Sequence, residues 1–345
     1  MEKAGYDKMV EAGYINAYGK GGLTLYNYTP KAIYDGVWNE YTMTARGLVL
    51  GSDGVVYARP FRKFHNLGER PETMIQALPA ETPELSMKMD GSLVIVFYDP
   101  QTGRWLACTR GCWDNVQTKY AQKWLAQHQW KLRRDRTYLF ELVAPWNRIV
   151  VHYEKEDMVL IGMVETKGGA DYSYQEISEE AEDRGLSAVR FETKPISSVN
   201  LEDPLVKNEE GFVARFSNGF RVKLKYRQYM YLHKIVTGLS IKGIWEILSS
   251  GNDPDLSGVP DEFMGWYKKQ KAKIEEKYGK VEAEAKAIFQ SIPKHENRKD
   301  YAFLFLEHDG IASILFKMLD GQSYSDLIWK IVKPNAHEVF RVDEA

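Results

Sequence analysis

The apolar residues of this chain change period once. Up to about Tyr231, short runs alternate apolar and polar residues; after about Leu232 the spacing is helical almost to the end. A strand buries every second residue and a helix every third or fourth, so the two stretches need different partners to hide their apolar faces. With 345 residues, each stretch can bury a core of its own. The expected fold is α+β: antiparallel sheets with flanking helices over residues 1–234, then an all-helical domain over residues 235–345.

In the first part, residues 47–50 and 55–59 flank Ser52-Asp53-Gly54 and read as a hairpin, as do 210–216 and 220–226 around Asn218-Gly219. Residues 85–89, 93–98, 105–109, 137–143, 149–153 and 158–164 read as further strands. Residues 115–132 read as a helix, and 178–184 as a short acidic helix stopped by Gly185. In the second part, residues 263–292 form a long helix candidate rich in Lys, Glu and Ala that Pro293 stops. At least two more helices are expected over 301–333, and a loop over 249–260.

Lys88-Met89-Asp90-Gly91-Ser92 lies between two of the expected strands. An Asp-Gly pair between apolar runs is a common hairpin signal, with Gly91 supplying the backbone freedom and Asp90 shaping the turn, its other possible task being to orient Lys88. The lysine before it permits a second reading. Held at the mouth of a cleft, its amine could attack a nucleotide phosphate and carry the nucleotide as a phosphoramidate.

Other charged residues share that order along the chain. In the strand over 220–226, Phe220, Val222, Leu224 and Tyr226 point one way, and Arg221, Lys223, Lys225 and Arg227 the other. Four cations on one face repel unless water or anions separate them. A solvated edge strand guarded by lysines meets that condition, and so does a face carrying a polyphosphate. Glu209 and Glu210 open the partner strand, where a metal could bridge protein and phosphates. Glu141 sits in the otherwise apolar Tyr138-Leu139-Phe140-Glu141-Leu142-Val143 and needs a partner or a task. Arg46, Arg62, Lys63, His65 and Arg110 would bring further positive groups from separate segments to one cleft.

This order of motifs resembles the ATP-dependent RNA ligases of the bacteriophage RNA ligase 1 type. The motifs are Ala-Arg46-Gly, Lys63-Phe64-x-Asn66, Lys88-x-Asp-Gly-Ser, Thr-Arg110-Gly, Phe-Glu141-x-x-x-Pro-x-Asn-Arg-Ile-Val, Glu210-Gly-Phe-Val and Val-Lys223-x-Lys225. The resemblance covers roughly residues 40–232. It implies a covalent nucleotidyltransferase domain followed by an all-helical domain that selects the RNA. Lys88 is then the nucleophile that becomes adenylated. Arg46 and Lys63 contact the ATP phosphates, Glu141 the ribose or a metal-bound water, and Glu210 the metal. Lys223 and Lys225 bind the α-phosphate, with Asp90, Gly91 and Arg110 completing the ATP site. Arg110 stands where the family often has Lys, and His65 where it often has an aromatic residue. The implied co-substrate is ATP with Mg²⁺, or Mn²⁺ in its place. The implied partner is RNA with 5′-phosphate and 3′-hydroxyl ends, such as nicked tRNA, prepared by a separate polynucleotide kinase and phosphatase.

Three rival readings stand beside this one: a DNA ligase or capping-type enzyme, a nucleotide- or RNA-binding module without turnover, and a β protein of structural hairpins. Neither a barrel-like β segment nor an Arg-rich closing motif follows residue 232, which weakens the first. A net charge of −2 leaves nucleic-acid affinity to local patches. Cys108 and Cys112 are too few for a structural zinc site and are expected to be free thiols of a cytoplasmic protein. The Lys-rich helix over 263–292 carries interleaved glutamates, as a solvated helix with ion pairs would.

Overall fold

A computed structural model describes residues 2–252, 254, 256, 258–335 and 338–340. The chain divides into two compact units, Met1–Met230 and Tyr231–Ala345.

The first unit begins with α1 (Lys3–Glu11), β1 (Ile15–Lys20), β2 (Leu23–Tyr28), α2 (Pro30–Tyr34), α3 (Glu40–Thr44), β3 (Arg46–Gly51) and β4 (Val56–Ala58). It continues with β5 (His65–Asn66), β6 (Glu84–Met87), β7 (Ser92–Asp99), β8 (Arg104–Thr109), α4 (Val116–His128), β9 (Arg136–Val143) and β10 (Asp157–Glu165). Then come α5 (Tyr174–Arg184), β11 (Phe191–Thr193), β12 (Gly211–Arg215), β13 (Arg221–Lys225) and α6 (Arg227–Gly238), which runs past the division between the units. The strands form three sheets, ordered β1-β2-β3-β4, β10-β9-β7-β8 and β11-β6-β12-β13-β5. The pairings are antiparallel except β13 with β5, which is parallel.

The middle sheet is covered on both faces, which is why its strands read as nearly continuous apolar runs. Val94, Val96, Tyr138, Phe140 and Leu142 pack on one face against Ala121 and Leu125 of α4 and Ile177 and Ala181 of α5. Their alternates Ile95, Phe97 and Leu139 pack on the other against Leu25, Val49, Tyr57 and Ala58 of the first sheet. A separate core under the third sheet gathers Leu85, Ala214, Phe216, Val222 and Leu224.

Several sequence expectations change. β6 pairs with β11 and β12, whereas β7 pairs with β8 and β9. Residues 88–91 are therefore a crossover from one sheet to the next, not a hairpin turn. Residues 149–153 form no strand. The acidic helix starts earlier than read, at Tyr174, because Ser173 and Glu176 close a capping box ahead of it. The elements before β3, from α1 to α3, had no counterpart in the sequence reading.

The second unit contains α7 (Ile241–Ser250), α8 (Asp261–Ser291), α9 (Arg298–Leu306), α10 (Ala312–Leu319) and α11 (Ser325–Ile331). Its core joins Ala285, Phe305, Ile314, Leu315 and Ile328. Pairs such as Lys280–Glu276 and Lys286–Glu282 run along α8, as its charge pattern suggests. The loop expected over 249–260 includes positions 253, 255 and 257, which lie outside the described residues. No described helix is long and apolar enough to cross a membrane. Cys108 and Cys112 are free.

Candidate nucleotide site

Lys88 follows the last residue of β6 and meets the first residue of β12, its backbone N–H donating to the Gly211 carbonyl at 2.8 Å. Its Nζ donates to Glu210 Oε2 at 2.7 Å, and Lys225 Nζ reaches Glu210 Oε1 at 2.8 Å. Glu210 is buried, 3% exposed, and both its oxygens are engaged by lysines that keep 21% exposure. Gly211 must be glycine for this to hold. Its φ is +138°, and a Cβ there would lie 1.9 Å from the Leu224 carbonyl oxygen.

Glu141 approaches from β9. Its Oε1 accepts the Gly91 N–H at 3.1 Å. Burial, with help from the Glu210 and Asp90 charges, pushes its carboxyl up to about 7; Lys88 and Arg46 pull the other way. Gly91 does not adopt a positive φ. Its requirement is closeness: a Cβ would lie 2.3 Å from the Leu142 carbonyl oxygen. The conformational freedom expected of a turn glycine is thus replaced by a tight crossing of two backbones.

Asp90 is turned inward. Its Oδ2 accepts the Val150 and Val151 N–H groups at 2.8 and 2.9 Å, and its Oδ1 accepts the Tyr229 hydroxyl at 2.7 Å. The Asp90 N–H donates to Tyr153 Oη at 2.9 Å. A carboxylate spent on two backbone amides fixes the segment after β9 beneath Lys88. Asn147 of that segment bonds the Leu142 carbonyl at 2.8 Å, and Ser92 bonds Asn147 at 3.1 Å.

A cavity of about 140 Å³ opens beside Lys88 and is lined by Arg46, Glu141, Lys223 and Lys225 together with Phe61 and Phe64. Arg46 and Lys223 lie 5.7 and 5.0 Å from the Phe64 ring centroid. Burial, followed by the charges of Lys63, Arg46, Lys88 and Lys225, pushes the Lys223 amine down to about 7. The Nη1 of Arg46 is buried without a hydrogen-bond partner. Lys63 lies 5.3 Å from the Trp38 ring centroid and lines the neighbouring cavity instead. Arg110 is exposed beside Tyr28, its Nη1 3.4 Å from the hydroxyl.

The four-cation face expected on β13 is not continuous. Arg221 is buried, bonded to Asp171 at 2.6 and 2.8 Å and stacked 4.0 Å from the Phe61 centroid. Arg227 belongs to α6 and pairs with Glu202. Only Lys223 and Lys225 face the cleft. His65 is also structural, buried against Trp38 and bonded to Glu69 at 2.9 Å.

The family model described as RNA ligase matches residues 44–235, which contain Arg46, Lys63, Lys88, Asp90, Arg110, Glu141, Glu210, Lys223 and Lys225. The chain belongs to the RNA ligase family. An RNA ligase of Rhodothermus phage RM378 is 24% identical over 400 aligned positions, covering 88% of this chain and 86% of that protein. A Thermovibrio ammonificans protein named "Putative RNA ligase" is 31% identical over 183 positions, 49% of this chain and 46% of that protein. An archaeal ATP-dependent RNA ligase structure (form 2) gives a TM-score of 0.49 at 13% identity, over 94% of this chain and 97% of that one.

In this member of the RNA ligase family, Glu141 lines the cavity beside Lys88 and Glu210 pairs with Lys88 itself. No cluster of three or more metal-ligating side chains occurs among the described residues. Two carboxylates suit a hard cation such as Mg²⁺ that keeps several waters and arrives with phosphates; they do not suit a cage built by protein alone. Sequence reasoning missed Phe61, Phe64, Tyr153 and Tyr229. Only the position of Phe64 inside Lys63-Phe64-x-Asn66 could have drawn notice to any of them.

Proposed function

We propose that this protein is an ATP-dependent RNA ligase that joins 5′-phosphate and 3′-hydroxyl ends through lysyl-AMP and adenylylated RNA. The observation that carries the reading is Lys88, held by Glu210 at 2.7 Å on the wall of a cavity whose other charged lining is Arg46, Glu141, Lys223 and Lys225. Lys88 Nζ attacks the α-phosphorus; the N–P bond forms and pyrophosphate leaves with the electrons of the broken P–O bond. An RNA 5′-phosphate oxygen then displaces Lys88 from the AMP phosphorus. A 3′-hydroxyl finally attacks the 5′-phosphorus, and AMP leaves.

An unperturbed lysine, with a pKa near ~10.4, is neutral in only about one molecule in a thousand at neutral pH. Attack requires the neutral amine, so the proton of Lys88 must leave before the N–P bond forms. Arg46, Lys223 and Lys225 would hold the phosphates as negative charge shifts to the leaving group, with Lys63 and Arg110 at the polyphosphate end. Mg²⁺ or Mn²⁺ held by Glu141 and Glu210 would supply further charge neutralisation. Asp90 and Gly91 act through the backbone they position rather than by touching ATP. Residues 1–234 form the adenylyltransferase domain in this reading and 235–345 select the RNA, nicked tRNA being one candidate. A kinase and phosphatase would prepare its ends in the same cytoplasm.

The test is incubation with α-labelled ATP and Mg²⁺, then denaturing electrophoresis. The expected result is an acid-labile label on the wild type and none on Lys88→Ala or Lys88→Arg of equal folded content. Label persisting on the variants would refute the assignment of Lys88.

A further inference from the structure

A second cavity, about 440 Å³, lies on the other side of the Phe61–Phe64 segment. Phe61 and Phe64 line both cavities, so the two share a wall. The second is three times the volume of the first and within the range that takes a small organic ligand. Its walls include Phe220 and the cations Arg59, Arg62 and Lys63.

The charges of this cavity are not balanced internally. The Arg221 guanidinium on its wall is matched by Asp171, and Glu72 pairs with Arg70. Arg59 donates to the Thr166 and Lys167 carbonyls at 3.2 and 3.1 Å, which anchors its guanidinium at the edge of the cavity. Neither Arg62 nor Lys63 has a carboxylate within ion-pair range among the described residues. Arg62 is exposed, so its charge faces the solvent where a ligand would arrive. Lys63 lines this cavity, and its charge helps to lower the Lys223 amine in the nucleotide cleft.

Resting on the RNA ligase reading above, we propose that this cavity holds one nucleotide of the substrate RNA strand beside the reacting end. Its phosphate is met by the exposed Arg62, and its base by the half-buried rings of Phe64 and Phe220. Flat apolar surface beside cations is the combination that single-stranded nucleic acid uses, since every base offers a face to stack and every linkage a negative charge.

Arg62→Glu is the probe, because the side chain is exposed and belongs to no step of the adenylation site. Arg104→Glu, an equal charge change at another exposed position, is the control. Three readouts are taken: Lys88 labelling from ATP, fluorescence-anisotropy binding of a 5′-phosphorylated RNA oligonucleotide, and joining of a preadenylated RNA that bypasses labelling. Arg62→Glu should leave labelling within about twofold while weakening RNA binding about tenfold or more, the size expected when a charge-assisted hydrogen bond is removed. The slope of log affinity against log salt should fall by about 0.7 when one phosphate is no longer neutralised. Arg62→Lys should restore most of the binding, and Arg104→Glu should change none of the readouts.

Unchanged RNA affinity and salt slope in Arg62→Glu would overturn the proposal. An equal loss of Lys88 labelling would also overturn it, by assigning the cavity to the polyphosphate of ATP. A wild type that binds RNA through Arg62 but takes no label would support the cavity and refute the ligase reading instead.

Discussion

Replacing Asp90 by alanine should cost stability, and the structure says how much. The carboxylate is 3% exposed and accepts two backbone amides and one phenol. Alanine strands the Val150 and Val151 N–H groups in the interior at about 1–3 kcal/mol each, and the loss of the Tyr229 bond adds about 1 kcal/mol. A total of about 4 kcal/mol is a large share of the 5–15 kcal/mol typical of a folded domain. Asparagine is the discriminating partner variant. Its carbonyl oxygen can still accept both amides, so it should cost about 1 kcal/mol, mainly from the mismatched contact with Tyr229. The assay is urea unfolding followed by tryptophan fluorescence. With a slope of about 2–3 kcal/mol/M, alanine should lower the midpoint by about 1.5–2 M and asparagine by less than about 0.5 M. An alanine variant that unfolds like the wild type but no longer takes label at Lys88 would refute the reasoning. Asp90 would then act on the chemistry and not on the chain around it.

Three further outcomes follow from the same geometry. The Lys223 amine, pushed down to about 7 from 10.5, binds fewer protons folded than unfolded between those values, so stability should rise with pH across that window; the penalty is present in full below about 7. Lys223→Met should flatten that rise in metal-free protein, and a variant with an unchanged pH profile would contradict the assigned cause. Gly91→Ala should cost about 1–3 kcal/mol and depress labelling of Lys88, because its Cβ meets the Leu142 carbonyl oxygen at 2.3 Å and two backbones must part. A normally stable, normally labelled variant would show that the crossing is looser than described. Lys88→Met and Lys225→Met each leave Glu210 one ammonium, but the double variant leaves a buried carboxylate with neither. Their unfolding free energies should be non-additive by about 1–3 kcal/mol, with the double variant the worse, and strict additivity would exclude a shared counter-ion.

The residues of the cleft were legible because their chemistry is conspicuous in the sequence. Lys88 precedes Asp-Gly, Glu141 interrupts an apolar strand, and Lys223 and Lys225 recur with period two. What period alone could not supply was the partner of each face. Arg221 shares the alternation of Lys223 and Lys225, yet Asp171, 50 positions earlier, neutralises it. The hairpin expected at 85–98 failed for a related reason. Local pattern identifies a strand and a turn, but pairing is decided by which sheet buries Leu85, and that is the sheet of Ala214 and Val222. Asp90 looked like a turn residue or an ATP contact because its bonding partners, Val150, Val151 and Tyr229, are distant along the chain. The helical character was legible only from about Leu232, whereas α6 starts at Arg227, since the alternating basic residues of β13 run into its first turn without a break.

Arg46, Lys88, Lys223 and Lys225 surround a cavity whose nearby carboxylates are Glu141 and Glu210, Asp90 being committed to backbone amides. Glu210 balances two of the cations, and Glu141, pushed up to about 7, supplies only part of a charge at neutral pH. The fold limits the remaining repulsion in two ways: Lys223 is pushed toward its neutral form, and aromatic faces lie near Arg46 and Lys223. Neither removes the excess. An arrangement tuned for stability alone would have put a carboxylate or an apolar residue at one of these positions. In the proposed reading, a polyanion entering the cleft turns this excess into attraction. The cleft is therefore destabilising by itself and stabilising once phosphates fill it, so a nucleotide that binds only the folded chain should raise its stability in step with its own affinity.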